Sequence, residues 1–197
     1  GSTKADVGEM INAFNAAVSA KADGIAVCVV DKGAFEAPIK QALAKGIPVL
    51  AYNADGARSG PKNRMAYIGQ ALYESGFAMG QRIATLVPKG DVALFIATPG
   101  ALNIQPRIDG AVAAIKQSGK PINPKIVATD ADLSKELTII DSYYLGHKNL
   151  KGMFAVDAGS TQGVAQVMQK YNLPSKGIHG GGYDLLPRTL RAIAGGD

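Results

Sequence analysis

Four apolar stretches in this chain run straight into a carboxylate or a carboxamide. Residues 26–30 lead into Asp31, residues 47–52 into Asn53, Phe154-Ala-Val into Asp157, and Gly177-Ile-His-Gly-Gly-Gly-Tyr into Asp184. Each stretch has the length of a buried strand bounded by turn residues. In an open parallel α/β sheet, ligands bind beyond the carboxyl ends of the strands. Carboxylates accept hydrogen bonds and carboxamides both accept and donate them, so polar groups repeated at that address suit a ligand rich in hydroxyls. Asp55, Tyr52 and Tyr183 lie beside these ends. Asp31 and Asp55 are secondary candidates, and the two tyrosines are either packing residues or ligand faces. Asp157 and Asp184 each have a second reading. The first could cap a helix starting near Ser160, and the second a helix after Leu186.

The elements that must position these residues alternate along the whole chain. Helical periodicity marks residues 6–21, 35–45, 72–86, 107–118, 133–144, 160–171 and 186–194. Strand-like runs mark 24–31, 47–52, 65–68, 92–97, 125–128, 151–156 and 177–183, and residues 54–63 read as a Gly- and Pro-bearing loop. Strict alternation predicts parallel sheets covered by helices on both faces. One sheet of at least seven strands fits this pattern. Two lobes fit it better, because the pattern restarts after the long helix; the expected division is 1–69 and 70–197.

Composition narrows the chemistry. The 197 residues are 47% hydrophobic, enough for one large core or two small ones. The net charge is +5, but Lys40, Lys45, Arg64, Lys148 and Lys151 are scattered and no basic run is interleaved with aromatics, so no nucleic-acid face is expected. No apolar run is long enough to span a bilayer. Cys28 sits mid-strand and reads as a buried packing thiol. With it, His147 and His179 form no metal-ligand spacing, and neither metal nor cofactor is expected. His179-Gly-Gly-Gly182 spells an oxyanion-loop pattern, but no Gly-x-Ser-x-Gly elbow supplies a nucleophile, so no enzyme is expected.

Asp23-Gly-Ile-Ala-Val-Cys-Val-Val, Gly46-Ile-Pro-Val-Leu-Ala-Tyr-Asn and Tyr67-Ile-Gly-Gln together resemble the amino-terminal lobe of the ribose-type sugar-binding proteins, the solute receptors of bacterial ABC importers. Gly152-Met-Phe-Ala-Val-Asp157 and Gly181-Gly-Tyr-Asp184 resemble strand ends of the second lobe, and Gln105-Pro-Arg-Ile-Asp-Gly110 resembles the start of its arginine-bearing helix. The resemblance covers nearly the whole chain in order. It implies two flavodoxin-like three-layer (αβα) lobes with parallel sheets, the first incomplete, and a sugar in the cleft between them. By position it assigns ligand contacts to Asn53, Arg107, Asp157 and Asp184, and Asn103 joins them as a loop carboxamide. The alternatives are a surface role for Arg107, paired with Asp109 or Asp130, and turn chemistry for Asn103.

The chain departs from the family in its Asn53-Ala54, where an Asp-Arg pair is usual. The first strand and the last strands of the family are also missing, so the chain is expected to be an internal fragment with a weaker first lobe. The implied partners are a small-molecule sugar and the membrane permease of an importer, and the implied location is the periplasm, or the cell exterior for a lipoprotein. Two other functions compete: the effector-binding domain of a sugar-responsive transcription repressor, which has the same bilobal fold, and a nucleotide-linked α/β enzyme. The absence of phosphate-binding glycine patterns counts against the enzyme.

Overall fold

A computed structural model describes residues 6–56 and 64–196. They divide into two compact units, one formed by residues 6–56, 64–71 and 100–103, the other by residues 72–99 and 104–196. The part of the expected loop that falls on residues 57–63 lies outside the described residues.

The first unit runs α1 (Val7–Ser19), β1 (Ile25–Val27), α2 (Glu36–Ala44), β2 (Val49–Tyr52) and β3 (Ala66–Ile68). Its strands form a parallel sheet in the order β1-β2-β3. Asp6 caps α1, accepting from the Glu9 N–H at 2.8 Å. Phe14 and Val18 of α1 and Ile39 and Ala42 of α2 share one core with Val27, Val49 and Ala51 of the sheet. The alternating residues Leu50 and Tyr52 point the other way, and Tyr52 is 48% exposed. Among the described residues, helices therefore cover only one face of this sheet. β1 is shorter than the expected 24–31 because the chain leaves the ladder after Val27. From there Val29 donates to the Ala54 carbonyl, and the Val30 carbonyl accepts from Leu102.

The second unit has the full three layers. It runs α3 (Leu72–Leu86), β4 (Gly90–Ile96), α4 (Gln105–Gln117), β5 (Ile122–Ala128), α5 (Leu133–Gly146), β6 (Gly152–Ala155), α6 (Ala158–Lys170), β7 (His179–Gly181) and α7 (Pro187–Gly195), with a short 3-10 turn at Pro174–Lys176. The parallel sheet has the order β5-β4-β6-β7. β4 is central, and both its faces are buried. Ala93 and Phe95 pack with Met153 and Ala155 against Ile140, Tyr144, Val164 and Met168 of α5 and α6. Val92, Leu94 and Ile96 face the opposite side by the period of the pleat, toward α4 and its partner α3.

Several element bounds shift by a few residues from expectation, and two of these shifts have clear local reasons. α4 starts two residues early, at Gln105, because Pro106 in its first turn presets a helical φ and needs no N–H partner. β5 starts at Ile122 and passes through Pro124. A proline there is tolerated because β5 is an edge strand, which has one row of N–H groups without a ladder partner. Asp132 caps α5, accepting from the Lys135 N–H at 3.1 Å. Asp132→Ala is expected to lower stability by about 1 kcal/mol. Urea unfolding checks this through a lower midpoint at unchanged slope.

Candidate functional site

The order β5-β4-β6-β7 makes the second sheet reverse direction at β4: the chain moves to β5 on one side, then returns to β6 on the other. Such a switch point opens a crevice at the carboxyl ends of the strands. Asp157 stands there, two residues past the end of β6. Its Oδ1 accepts from the Ser160 N–H and its Oδ2 from the Ala97 N–H just past β4, both at 2.9 Å. Asp157 is thus the N-cap of α6, as its second reading held, and it also ties β6 to β4. A carboxylate has about four acceptor sites, so capping does not exhaust it.

Arg107 lies in the first turn of α4, and its Nη1 donates to the Val156 carbonyl, next to Asp157, at 2.8 Å. Its guanidinium sits over the Tyr183 ring, 4.1 Å from the centroid. The Ser75 hydroxyl of α3 in turn donates to the Tyr183 hydroxyl at 2.9 Å. The acids weighed as surface partners for Arg107 are engaged elsewhere: Asp109 accepts from Gln105, and Asp130 pairs with Lys135. Arg107, Tyr183 and the strand end carrying Asp157 are therefore brought together. Asp184 follows in a left-handed conformation, with φ of 70°, and is exposed. Helix α7 has Leu186 at its N-cap and no side-chain cap, so Asp184 does not cap it.

In the first unit, Asn53 ends β2 with φ of 59°, a region that asparagine tolerates better than most residues. Its carboxamide nitrogen reaches the Cys28 sulfur at 3.7 Å, and its backbone carbonyl accepts from the Tyr67 hydroxyl at 3.0 Å. Burial pushes the Cys28 thiol up, which suits a packing role. Asp31 accepts from the N–H groups of Gly33 and Ala34, and these two bonds hold its carboxyl below the usual range. Asp55 is engaged by the Arg64 guanidinium. Tyr52 projects from the uncovered sheet face. Asn103 is half-buried, and its side-chain oxygen is buried without a hydrogen-bond partner among the described residues. An orphaned carbonyl oxygen is costly, and a ligand donor would satisfy it.

One group here escaped the sequence reading. Glu136, in the first turn of α5, is only 4% exposed. It is hydrogen-bonded to Asp157 and accepts from the Ser160 hydroxyl at 3.3 Å. A glutamate at a helix start reads as an ordinary solvated carboxylate favoured by the helix dipole. The one local clue is Gly159, where a Cβ would lie 1.6 Å from Glu136 Oε2.

The model of the periplasmic binding protein domain matches residues 1–197. The chain belongs to this family. It is 49% identical, over 208 aligned positions, to the xylose/arabinose-binding protein XylF of Sulfolobus acidocaldarius, covering 100% of this chain and 51% of that protein. The chain thus spans about half the length of this curated relative. Among solved structures it is similar to the XylFII molecule, with TM-score 0.89 and 26% identity over 98% of this chain and 70% of the other. It is also similar to an ABC transporter solute-binding protein from Burkholderia graminis C4D1M in complex with D-arabinose, with TM-score 0.87 and 27% identity over 98% of this chain and 67% of that one. The expected periplasmic-binding-protein fold is therefore the fold of this chain. The family is one of binding proteins, and the Sulfolobus acidocaldarius and Burkholderia graminis relatives are both named as binding proteins.

Proposed function

We propose that this chain is part of a sugar receptor of an ABC importer, that its ligand is a pentose or a close relative, and that it works in the periplasm or outside the cell. The observation that carries this reading is the match along the entire chain to a relative named for binding xylose and arabinose. The D-arabinose complex of a second relative supports the same ligand class. Both favour a receptor over the effector domain of a repressor. The permease partner follows from the same reading.

The candidate contacts are Asn53, Asn103, Arg107, Asp157 and Asp184. Asn103 supports this through its orphaned oxygen, which a sugar hydroxyl would pair. Arg107 supports it through a planar donor fork seated over the Tyr183 ring, a contact that leaves it less side-chain entropy to lose on gripping a ligand.

D-xylose or D-arabinose at a hundred times its Kd is expected to stabilise the intact protein by about 2.7 kcal/mol. Thermal unfolding against a panel of sugars and amino acids checks this; stabilisation by an amino acid and by no sugar would overturn the proposal. Removing a gripped hydroxyl from the ligand leaves a protein acceptor unpaired, so at least one deoxy analogue should bind at least ~10-fold more weakly. Equal affinity for every deoxy analogue would remove Asp157 and Asp184 from the site.

A further inference from the structure

The buried carboxyl of Glu136 has no cation to neutralise it among the described contacts. Asp157 faces it from the start of α6, and Asp130 adds negative charge from the end of β5. Lys135, its neighbour on α5, instead pairs with Asp130 at 3.2 Å, where both are partly exposed. The other polar groups against it are the hydroxyls of Ser160 and Thr129, fully buried and 2.7 Å apart. Ser160 donates to Glu136, so Thr129 donates to Ser160, and the chain of donors runs Thr129, Ser160, Glu136, Asp157.

Two hydrogen-bonded carboxyl groups in one buried site share a proton, because ionising both sets like charges together in a low dielectric. Burial, and then the charge of Asp157, push Glu136 up to about 8. Its proton completes a set of three donors on Asp157, with the N–H groups of Ser160 and Ala97. Of about four acceptor sites on a carboxylate, one remains.

We propose that Glu136 is a positioning residue for Asp157: its retained proton holds the Asp157 carboxylate in the orientation that leaves one acceptor site for a sugar hydroxyl, so sugar affinity falls when that proton leaves. This rests on the reading of Asp157 as a sugar contact. Gly159 is part of the device, because any side chain there would occupy the space of the Glu136 carboxyl.

The direction of the pH effect follows from linkage. The folded protein holds this proton more tightly than an unfolded chain, whose glutamates titrate at about 4.5. The stabilisation is therefore complete below about 4.5, drains as pH rises, and is gone above about 8. Sugar affinity should fall about tenfold per pH unit above that point, since binding then requires uptake of one proton. Glu136→Gln keeps a hydrogen-bond donor toward Asp157 and has no proton to lose, so both profiles should flatten in that variant.

The test is calorimetry of the intact protein and of Glu136→Gln with D-xylose and D-arabinose from pH 6 to 9.5, with thermal unfolding across the same range. Infrared spectroscopy of the unsubstituted protein follows the band of a neutral carboxylic acid as alkali is added. An alkaline fall in affinity that Glu136→Gln abolishes supports the proposal. Equal pH slopes in the two proteins overturn it. So does the absence of a neutral carboxyl band at pH 7, a readout that stands even if the variant does not fold. If the band and the stability slope are present but neither sugar binds at any pH, the coupling and the sugar reading of Asp157 are overturned, while the proton on Glu136 stands.

Discussion

Gly76→Ala is expected to destabilise the second unit by about 3 kcal/mol, even though alanine gains ~1 kcal/mol over glycine in a helix interior. A Cβ at Gly76 would lie 2.0 Å from the Arg107 carbonyl oxygen and 2.5 Å from its Cα. These are backbone atoms of α4, so no rotamer change relieves the clash. The same contact is built from the other side, since a Cβ at Gly110 would lie 2.1 Å from the Tyr73 carbonyl oxygen. α3 and α4 would have to move apart, opening the packing under Ile83, Ile108 and Ile115. The control is Gly146→Ala at the end of α5, where a Cβ meets nothing within 4 Å. That change is expected to be neutral or mildly stabilising. Urea unfolding of both variants checks the pair, and equal midpoints would refute the close helix contact. Because the clash falls on Arg107 itself, Gly76→Ala should also weaken sugar binding in whatever fraction remains folded.

Arg107→Ala is expected to weaken binding of D-xylose or D-arabinose about a hundredfold, ~3 kcal/mol, the range of an arginine anchor at a binding site. The substitution removes the donor fork and leaves the Val156 carbonyl without its 2.8 Å partner. It also removes the cation that stacks on Tyr183. Arg107→Lys should recover only part of the loss, since an ammonium keeps the charge but neither the planar fork nor the stacking. Calorimetry on the three proteins checks the order. A loss of less than about 0.5 kcal/mol in Arg107→Ala, the size of an ordinary surface substitution, would place Arg107 outside the site.

Both expectations depend on contacts of very different sequence separation, and this explains what was legible beforehand. Strand–helix alternation was legible because it is written in local periodicity: a run such as Val92–Ile96 can be buried on both faces only inside a covered parallel sheet. The polar residues at strand ends were legible for the same reason, since Asn53, Asp157 and Asp184 follow the last apolar residue of their segments. The limits of β1 and β5 were less so. Whether residues 28–31 stay in the ladder, or Pro124 enters one, depends on which strand lies alongside, and edge position is a property of the sheet.

The sequence by itself determined the kind of fold and the address of its polar groups, because periodicity and turn chemistry act over a few residues. Partnership was decided only in three dimensions. Ser75 reaches Tyr183 across 108 positions and thereby steadies the ring beneath Arg107. Asp157 bridges to Ala97 across 60 positions. Glu136 meets Ser160 across 24 positions and is buried among groups that nothing in its own helix announces. A side chain's type says which bonds it can make, but the desolvation that makes those bonds matter comes from whatever packs over it. The tertiary structure turned a glutamate of ordinary appearance into the holder of a proton, and two helix glycines into the contact that seats Arg107.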